Sequence, residues 1–302
     1  NNTASGYDSL KANTTGHTNA AFGFKALCAN TTGEKNAASG AYALRANTTG
    51  GCNTAHGTYS LYANTTGHGN TAVGQRALYL NTTGHSNTAS GFYSLYSNST
   101  GDKNAAVGYY ALYKNTTGTL NAAFGYDSLA CNTTGNKNTA LGWKAFRRMT
   151  TGIENTAVGS ESGYLNQTGN NNVSVGSGSA YKNTSGCLNV AIGRAALYHN
   201  ATASTNTAVG GCALYNNTTG ALNTGVGHHA LQANTTGCRN TASGNSSLSL
   251  TTTGIQNTAH GYAALKSNTT GNYNIAVGSG ALYNNTTAST NTAVGRDTLY
   301  VN

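Results

Sequence analysis

Asn70-Thr-Ala-Val-Gly-Gln-Arg-Ala-Leu-Tyr-Leu-Asn-Thr-Thr-Gly-His-Ser86 is one period of a pattern that fills the whole chain. Stepping by seventeen from Asn2 meets Asn19, Asn36, Asn53, Asn70, Asn87, Asn104 and Asn121, and the series runs on to Asn291, eighteen asparagines without a miss. Four places further on, Gly6 to Gly295 form an equally unbroken series. Phase this strict, with no insertion or deletion, means that each period is one structural unit stacked on the next.

Numbering each period from its Asn gives columns. Position 3 is Ala in sixteen periods, the exceptions being Ser174 and Gly225, and position 8 is Ala or Ser except at Thr298. Position 9 is Leu in fifteen, among them Leu27, Leu44, Leu61, Leu78, Leu95 and Leu112, and position 12 is Asn in sixteen. Seventeen residues are too few for a helix pair, and fixed interior Gly and Asn disfavour helix. The spacing therefore predicts an all-β parallel β-solenoid or β-roll with two short strands per coil, near positions 1–4 and 8–11. The position-5 Gly and the Asn-Thr-Thr-Gly group make the bends, Gly for its positive φ and Asn for its local hydrogen bonds. Like residues then stack about 4.8 Å apart, so the Asn columns form hydrogen-bonded amide ladders. Eighteen such rises predict a rod of roughly 86 Å.

The position-9 leucines and position-3 alanines are the expected core. Position 4, which reads Ser5, Phe22, Ser39, His56, Val73, is too varied for a narrow interior. Strand alternation then turns position 8 outward, and an outward column kept small predicts close packing against another copy of the chain. One Leu contributes roughly 1.5–3 kcal/mol against roughly 1–2 kcal/mol per ordered backbone residue, so ladder hydrogen bonds and interchain packing must supply the rest. The array reads as continuous over 1–302, with irregular coils at about 143–181. There the Leu column becomes Phe146, Gly163 and Ala180, Phe146 filling the space over Gly163, and Met149 replaces an Asn.

Sixteen Lys and Arg against seven Asp and Glu give a charge of +9. That balance suits acidic polymers such as polysaccharide or simply a solvated basic face, and nothing points to a specific nucleic acid. No apolar run approaches the roughly 18 residues of a membrane span. The six Cys fall in different columns, except Cys187 and Cys238, which lie three coils apart. At roughly 14 Å these exceed the reach of a disulfide, leaving free thiols or links between chains.

Tyr stands at position 10 in ten coils, including the runs Tyr62, Tyr79, Tyr96, Tyr113 and Tyr164, Tyr181, Tyr198, Tyr215. Further aromatics, Tyr109, Tyr110, Tyr126 and Trp143, occupy positions 6 and 7. The stripe reads as a sugar-binding or lateral-contact face, or as plain outward β-positions that suit Tyr. Fifteen position-12 Asn begin Asn-X-Ser/Thr triplets; glycans at about 4.8 Å intervals would crowd, so a structural ladder is the better account. Thr at positions 13 and 14 raises ice binding, yet neighbours in a strand face opposite ways, and only one column could lie on a lattice plane. His68 and His85, and the adjoining His228 and His229, lack further ligands at metal spacing. Asp8, Glu34, Asp102, Asp127, Glu154, Glu161 and Asp297 are scattered without an acid–base pair. No catalytic residue, metal site or cofactor is expected.

The recurring Asn-Thr-Ala-Val-Gly-x-x-Ala-Leu…Asn-Thr-Thr-Gly, as in Asn70–Gly84 and Asn206–Leu214, resembles repeats of phage and giant-virus fibre proteins and of bacterial surface proteins. It is also similar to the head repeats of trimeric autotransporter adhesins, whose Val-Ala-Ile-Gly unit forms a parallel β-roll; the nearest counterpart is Asn189-Val190-Ala191-Ile192-Gly193. The adhesin period is shorter. The resemblance implies a rigid extracellular, cell-surface or virion fibre, a homo-oligomer with adhesion to polysaccharide or a cell surface as its role. Two rivals accompany it: an ice-binding solenoid, and an extracellular filament that grows end to end, since neither end of the sequence departs from the repeat to form a cap.

Overall fold

The computed structural model describes residues 1–301 and divides into two units, Asn1–Thr151 and Gly152–Asn302. Each is a parallel β-solenoid with a seventeen-residue coil. The first unit carries nine three-residue strands, from β1 (Thr3–Ser5) to β9 (Thr139–Leu141), and the second nine more, from β10 (Thr156–Val158) to β18 (Thr292–Val294). Neighbouring strands within a unit pair in register, like on like: Ala72 lies beside Ala89, and Ala191 beside Ala208. Among the described residues there is no helix, hence none long and apolar enough to cross a membrane.

Only positions 2–4 form a strand. The second strand expected at positions 8–11 is instead a tight turn, because one residue inside that stretch and the one just before it adopt the left-handed conformation. In the quoted coil these are Arg76 at position 7 (φ 57°) and Leu78 at position 9 (φ 52°), with Ser86 at position 17 a third (φ 56°). Left-handed backbone costs an L-residue roughly 1–2 kcal/mol, so each coil carries strain that its hydrogen bonds must offset. The left-handed residues redirect their N–H groups along the stack. Arg76 N–H donates back to Thr58 O (3.0 Å) and Ser86 N–H to His68 O (2.9 Å), while Leu78 N–H donates forward to Ser94 O (3.0 Å). The turns are thereby bonded from coil to coil as regularly as the strands.

This geometry overturns the expectation for position 8. Ala26, Ala43, Ser60, Ala77, Ser94 and Ala111 are all fully buried, as are the leucines beside them. Strand alternation fails because the left-handed residue at position 9 turns two consecutive side chains into the same interior. The small size of position 8 reflects a narrow core, not a partner chain. Where it is Ser, the hydroxyl donates to the position-5 carbonyl, as in Ser60 Oγ to Gly57 O (2.8 Å), except at Ser162, which donates to Ser174 O (2.8 Å).

A typical interior coil therefore buries Ala, Ala or Ser, and Leu, together with two asparagines. The amide columns differ in their bonding. At position 12, Asn81 Nδ2 donates to Asn64 Oδ1 (2.8 Å) and to Gly84 O of its own coil (3.1 Å). At position 1, Asn70 Oδ1 accepts the backbone N–H of Asn87 (2.9 Å), while Asn70 Nδ2 donates to the same Gly84 O (2.8 Å). One carbonyl is thus held by both ladders. Gly84 must lack a side chain: a Cβ there would meet Asn81 Oδ1 and Gly101 O at 2.5 Å each. Gly74 (φ 130°) is equally constrained, its Cβ falling 2.6 Å from Gly91 O.

The two breaks in the position-12 ladder show its rule. Asn132 Oδ1 and Asn234 Oδ1 are buried without a hydrogen-bond partner, and the next residues in their columns are Met149 and Thr251. Neither supplies the amide donor that most steps of the column provide, and the buried Thr251 hydroxyl is itself unpaired. A buried polar atom left unpaired costs about 1–3 kcal/mol. Thr251→Asn, which restores donors toward Asn234 Oδ1 and Gly254 O, should raise stability by about 1–2 kcal/mol. Asn217→Ala, which removes a donor to Gly220 O and orphans Asn200 Oδ1 and an Asn234 Nδ2 proton, should lower it by about 2–3 kcal/mol; thermal and denaturant unfolding of the pair checks both signs.

Candidate functional surfaces

Three outward surfaces follow from the coil. The first is the sheet face. With position 3 pointing inward, positions 2 and 4 point out together. Position 4 is largely apolar: Val73, Val107, Phe124 and Leu141 in the first unit, Ile192, Val226 and Val277 in the second, each between 37% and 49% exposed. Position 2 is Thr in eleven coils and aliphatic in the others. No coil has Thr at both places, so the face offers no double Thr lattice.

The second surface is the corner made by positions 13–17. The Thr65, Thr66 and Gly67 N–H groups and the Thr65 hydroxyl all converge on Thr82 O, at 2.9–3.4 Å. The position-13 hydroxyl is thus engaged with the next coil, and position 14 alone forms a fully exposed Thr column, from Thr15 to Thr287 with Ser185 in one coil. Position 16 caps its neighbour's backbone. His68 Nδ1 accepts from Gly51 N–H (2.9 Å), His85 Nδ1 from His68 N–H (3.0 Å) and Asp102 Oδ1 from His85 N–H (2.6 Å). The stacked pair His68–His85 is therefore part of the backbone bonding of the coil. The recurrence of His, Asp, Asn and Ser at position 16 was the signal for these caps, and column statistics built on identity alone miss it.

The third surface is aromatic. Tyr62, Tyr79, Tyr96 and Tyr113 stack at 5.0, 5.1 and 5.3 Å between ring centres, within 22° of parallel. Tyr164, Tyr181, Tyr198 and Tyr215 stack at 5.1, 5.0 and 5.2 Å in the second unit. In the first unit two further columns run alongside, Tyr42–Tyr59 at position 7 and Phe92–Tyr109–Tyr126 at position 6. Arg45 and Arg76 sit among these rings, their guanidinium carbons 5.3–6.0 Å from ring centres, and donate to the Tyr62 and Tyr93 hydroxyls. Such contacts are worth about 0.5–1 kcal/mol each at exposed sites. Trp143 lies beneath the Lys144 ammonium, 4.0 Å from its ring centre.

Stacking has a chemical consequence. A ring flanked by rings above and below presents its edge and hydroxyl to solvent, and its faces are occupied. The second unit differs beside its ladder, because position 7 is small there: Gly178, Ala195 and Cys212 floor a groove of about 420 Å³ bordered by Tyr181, Tyr198, Glu161 and Arg194. All six cysteines are free thiols.

The position-12 asparagines lie on none of these surfaces. Asn47, Asn64, Asn81 and Asn98 are wholly buried, and both amide protons of each are donated. A glycan on any of them is incompatible with the closed coil.

Burial, and then the neighbouring Tyr62, raise the Tyr79 hydroxyl above its ordinary pKa of 10.0; burial, and then Glu161, do the same to Tyr181. The folded chain therefore keeps these protons at a pH where the unfolded chain has released them. Their contribution to stability is intact below pH 10.0 and is lost as the pH rises through the folded values. Phenolate absorbance during an alkaline titration should show these tyrosines ionising late, with the unfolding midpoint falling over the same range. Compared with known proteins, the chain matches no family model and no curated sequence.

Proposed function

We propose that the chain is a non-enzymatic structural segment of an extracellular, cell-surface or virion fibre, assembled from copies of itself and able to adhere through its aromatic and basic side. One observation carries the reading: the runs of apolar residues at position 4 of the sheet face, Val107, Phe124 and Leu141 in the first unit and Val158, Val175, Ile192, Val209 and Val226 in the second, each exposed or half-buried. Contiguous apolar surface of this kind marks interaction sites in monomeric proteins, and a run of successive coils with one such residue each offers a self-complementary strip. The strands are paired with their neighbours within each coil stack, so association would rest on these side chains. The resemblance to fibre and adhesin-head repeats points the same way. The opposite side, rich in Tyr, Arg and Lys, stays available for a polyanionic or glycan-coated surface.

The molar mass in solution tests this. Light scattering on the purified protein should give a whole-number multiple of 30.7 kDa. Replacing Val107, Phe124, Ile192 and Val226 together by Lys should reduce it to the single-chain value while the β-rich circular dichroism spectrum is kept. A single-chain mass for the unsubstituted protein would overturn the reading.

A further inference from the structure

The tyrosine ladder of the first unit stops at Ala130. Tyr113 stacks on Tyr96, and the next residue in the column, one coil on, is a buried alanine. The ring that would cover the second face of Tyr113 is missing, and in its place lies a pocket of about 350 Å³ floored by Ala130. Around it stand Tyr110, Tyr126, Lys114, Asp127 and Arg147. Tyr110 meets Tyr113 edge-on at 4.7 Å and Tyr126 continues the position-6 column at 5.2 Å from Tyr109. Asp127 is the only buried acidic side chain among the described residues, and its Oδ2 accepts from Arg147 Nε at 2.8 Å.

We infer that this gap is a binding site for one hexopyranose unit of a glycan. The opening is one ladder step deep, and coils rise about 4.8 Å, so it admits a single ring of saccharide thickness against Tyr113. The C–H face of a pyranose packs on an aromatic face, and a pocket of this kind combines such a wall with a few convergent polar groups. Those groups have the two functions a sugar rim needs: a carboxylate, Asp127, to accept from hydroxyls, and the Lys114 ammonium and Arg147 guanidinium to donate to hydroxyl or ring oxygens. An aromatic side chain of a protein partner would satisfy Tyr113 but make no use of the remaining acceptor capacity of the Asp127 carboxylate, which could accept from a sugar hydroxyl. The second-unit ladder also ends without a covering ring, at Tyr215 before Gln232, but the groove beside it has the half-exposed Glu161 in place of a buried carboxylate. The inference rests on the adhesive part of the proposed function and is independent of self-association.

The test is a titration of the intact chain with methyl glucopyranoside, methyl galactopyranoside and glucuronic acid, followed by saturation-transfer NMR and by the alkylation rate of Cys131, which lines the same pocket. At least one sugar should bind in the millimolar range and slow alkylation of Cys131 while leaving Cys28 unaffected. Ala130→Tyr, which completes the ladder with the residue found at that position in ten other coils, should abolish both effects. Should that variant not fold, Asp127→Asn should weaken binding roughly tenfold or more. Binding of all three sugars unchanged in these variants, no binding by any of them, or binding of p-cresol in their place would each overturn the inference. Molar mass measured on the same samples separates this outcome from the question of assembly.

Discussion

The fold depends on a single carbonyl per coil. Gly84 O, and its equivalent at position 15 of the coils around it, accepts from the position-1 amide and the position-12 amide at once. The two asparagines lie eleven residues apart in sequence and approach that oxygen from opposite sides of the turn. Their own Oδ1 atoms are then used by the adjacent coil. Burying two amides in a core of two small residues and one Leu would be unfavourable without partners. With nearly every donor and acceptor engaged, the same amides fix both the path of the turn and the register of the stack. This explains why position 1 is Asn without exception, and why the two interruptions of position 12 coincide with orphaned oxygens on Asn132 and Asn234.

Much of this was legible in the columns. Asn70 and Asn81 recur because a short amide donates two protons and accepts along the stack at once. Gly74 recurs because its Cβ would strike the next coil. Leu78 was recognised as core for its recurrence, but its left-handed backbone was not, since Leu has no intrinsic preference for that region and only the closed coil imposes it. From that one unseen dihedral came the mistaken placement of Ala77. With the turn in place of a strand, side chains 8 and 9 share one interior. The reason for keeping position 8 small is internal, and the ground for self-association moves to the far side of the coil, to Val107 and Ile192.

The surface was read less completely for a related reason. A column of Tyr predicts stacked rings, and Tyr62 to Tyr113 do stack, but whether a ring face is open depends on its two neighbours in the column rather than on the ring itself. The step from Tyr113 to Ala130 is visible in the sequence as one substitution among several. That it coincides with a buried Asp127 paired to Arg147, three positions before and one coil beyond, is a property of the winding and appears only when the coils are laid beside one another. Likewise the caps at position 16 are chemically uniform, each an acceptor, while being diverse in residue type.

Because every joint between neighbouring coils is made by the same positions in the same register, the unit of tolerated genetic change is the whole period. Gain or loss of one residue would shift Asn, Gly and Leu off their files and unmatch every joint beyond it. Duplication or excision of seventeen codons, by contrast, creates a junction like all the others. Recombination between near-identical repeats can therefore lengthen or shorten such a protein in fixed increments, leaving copy number free to vary where almost no single-residue indel is.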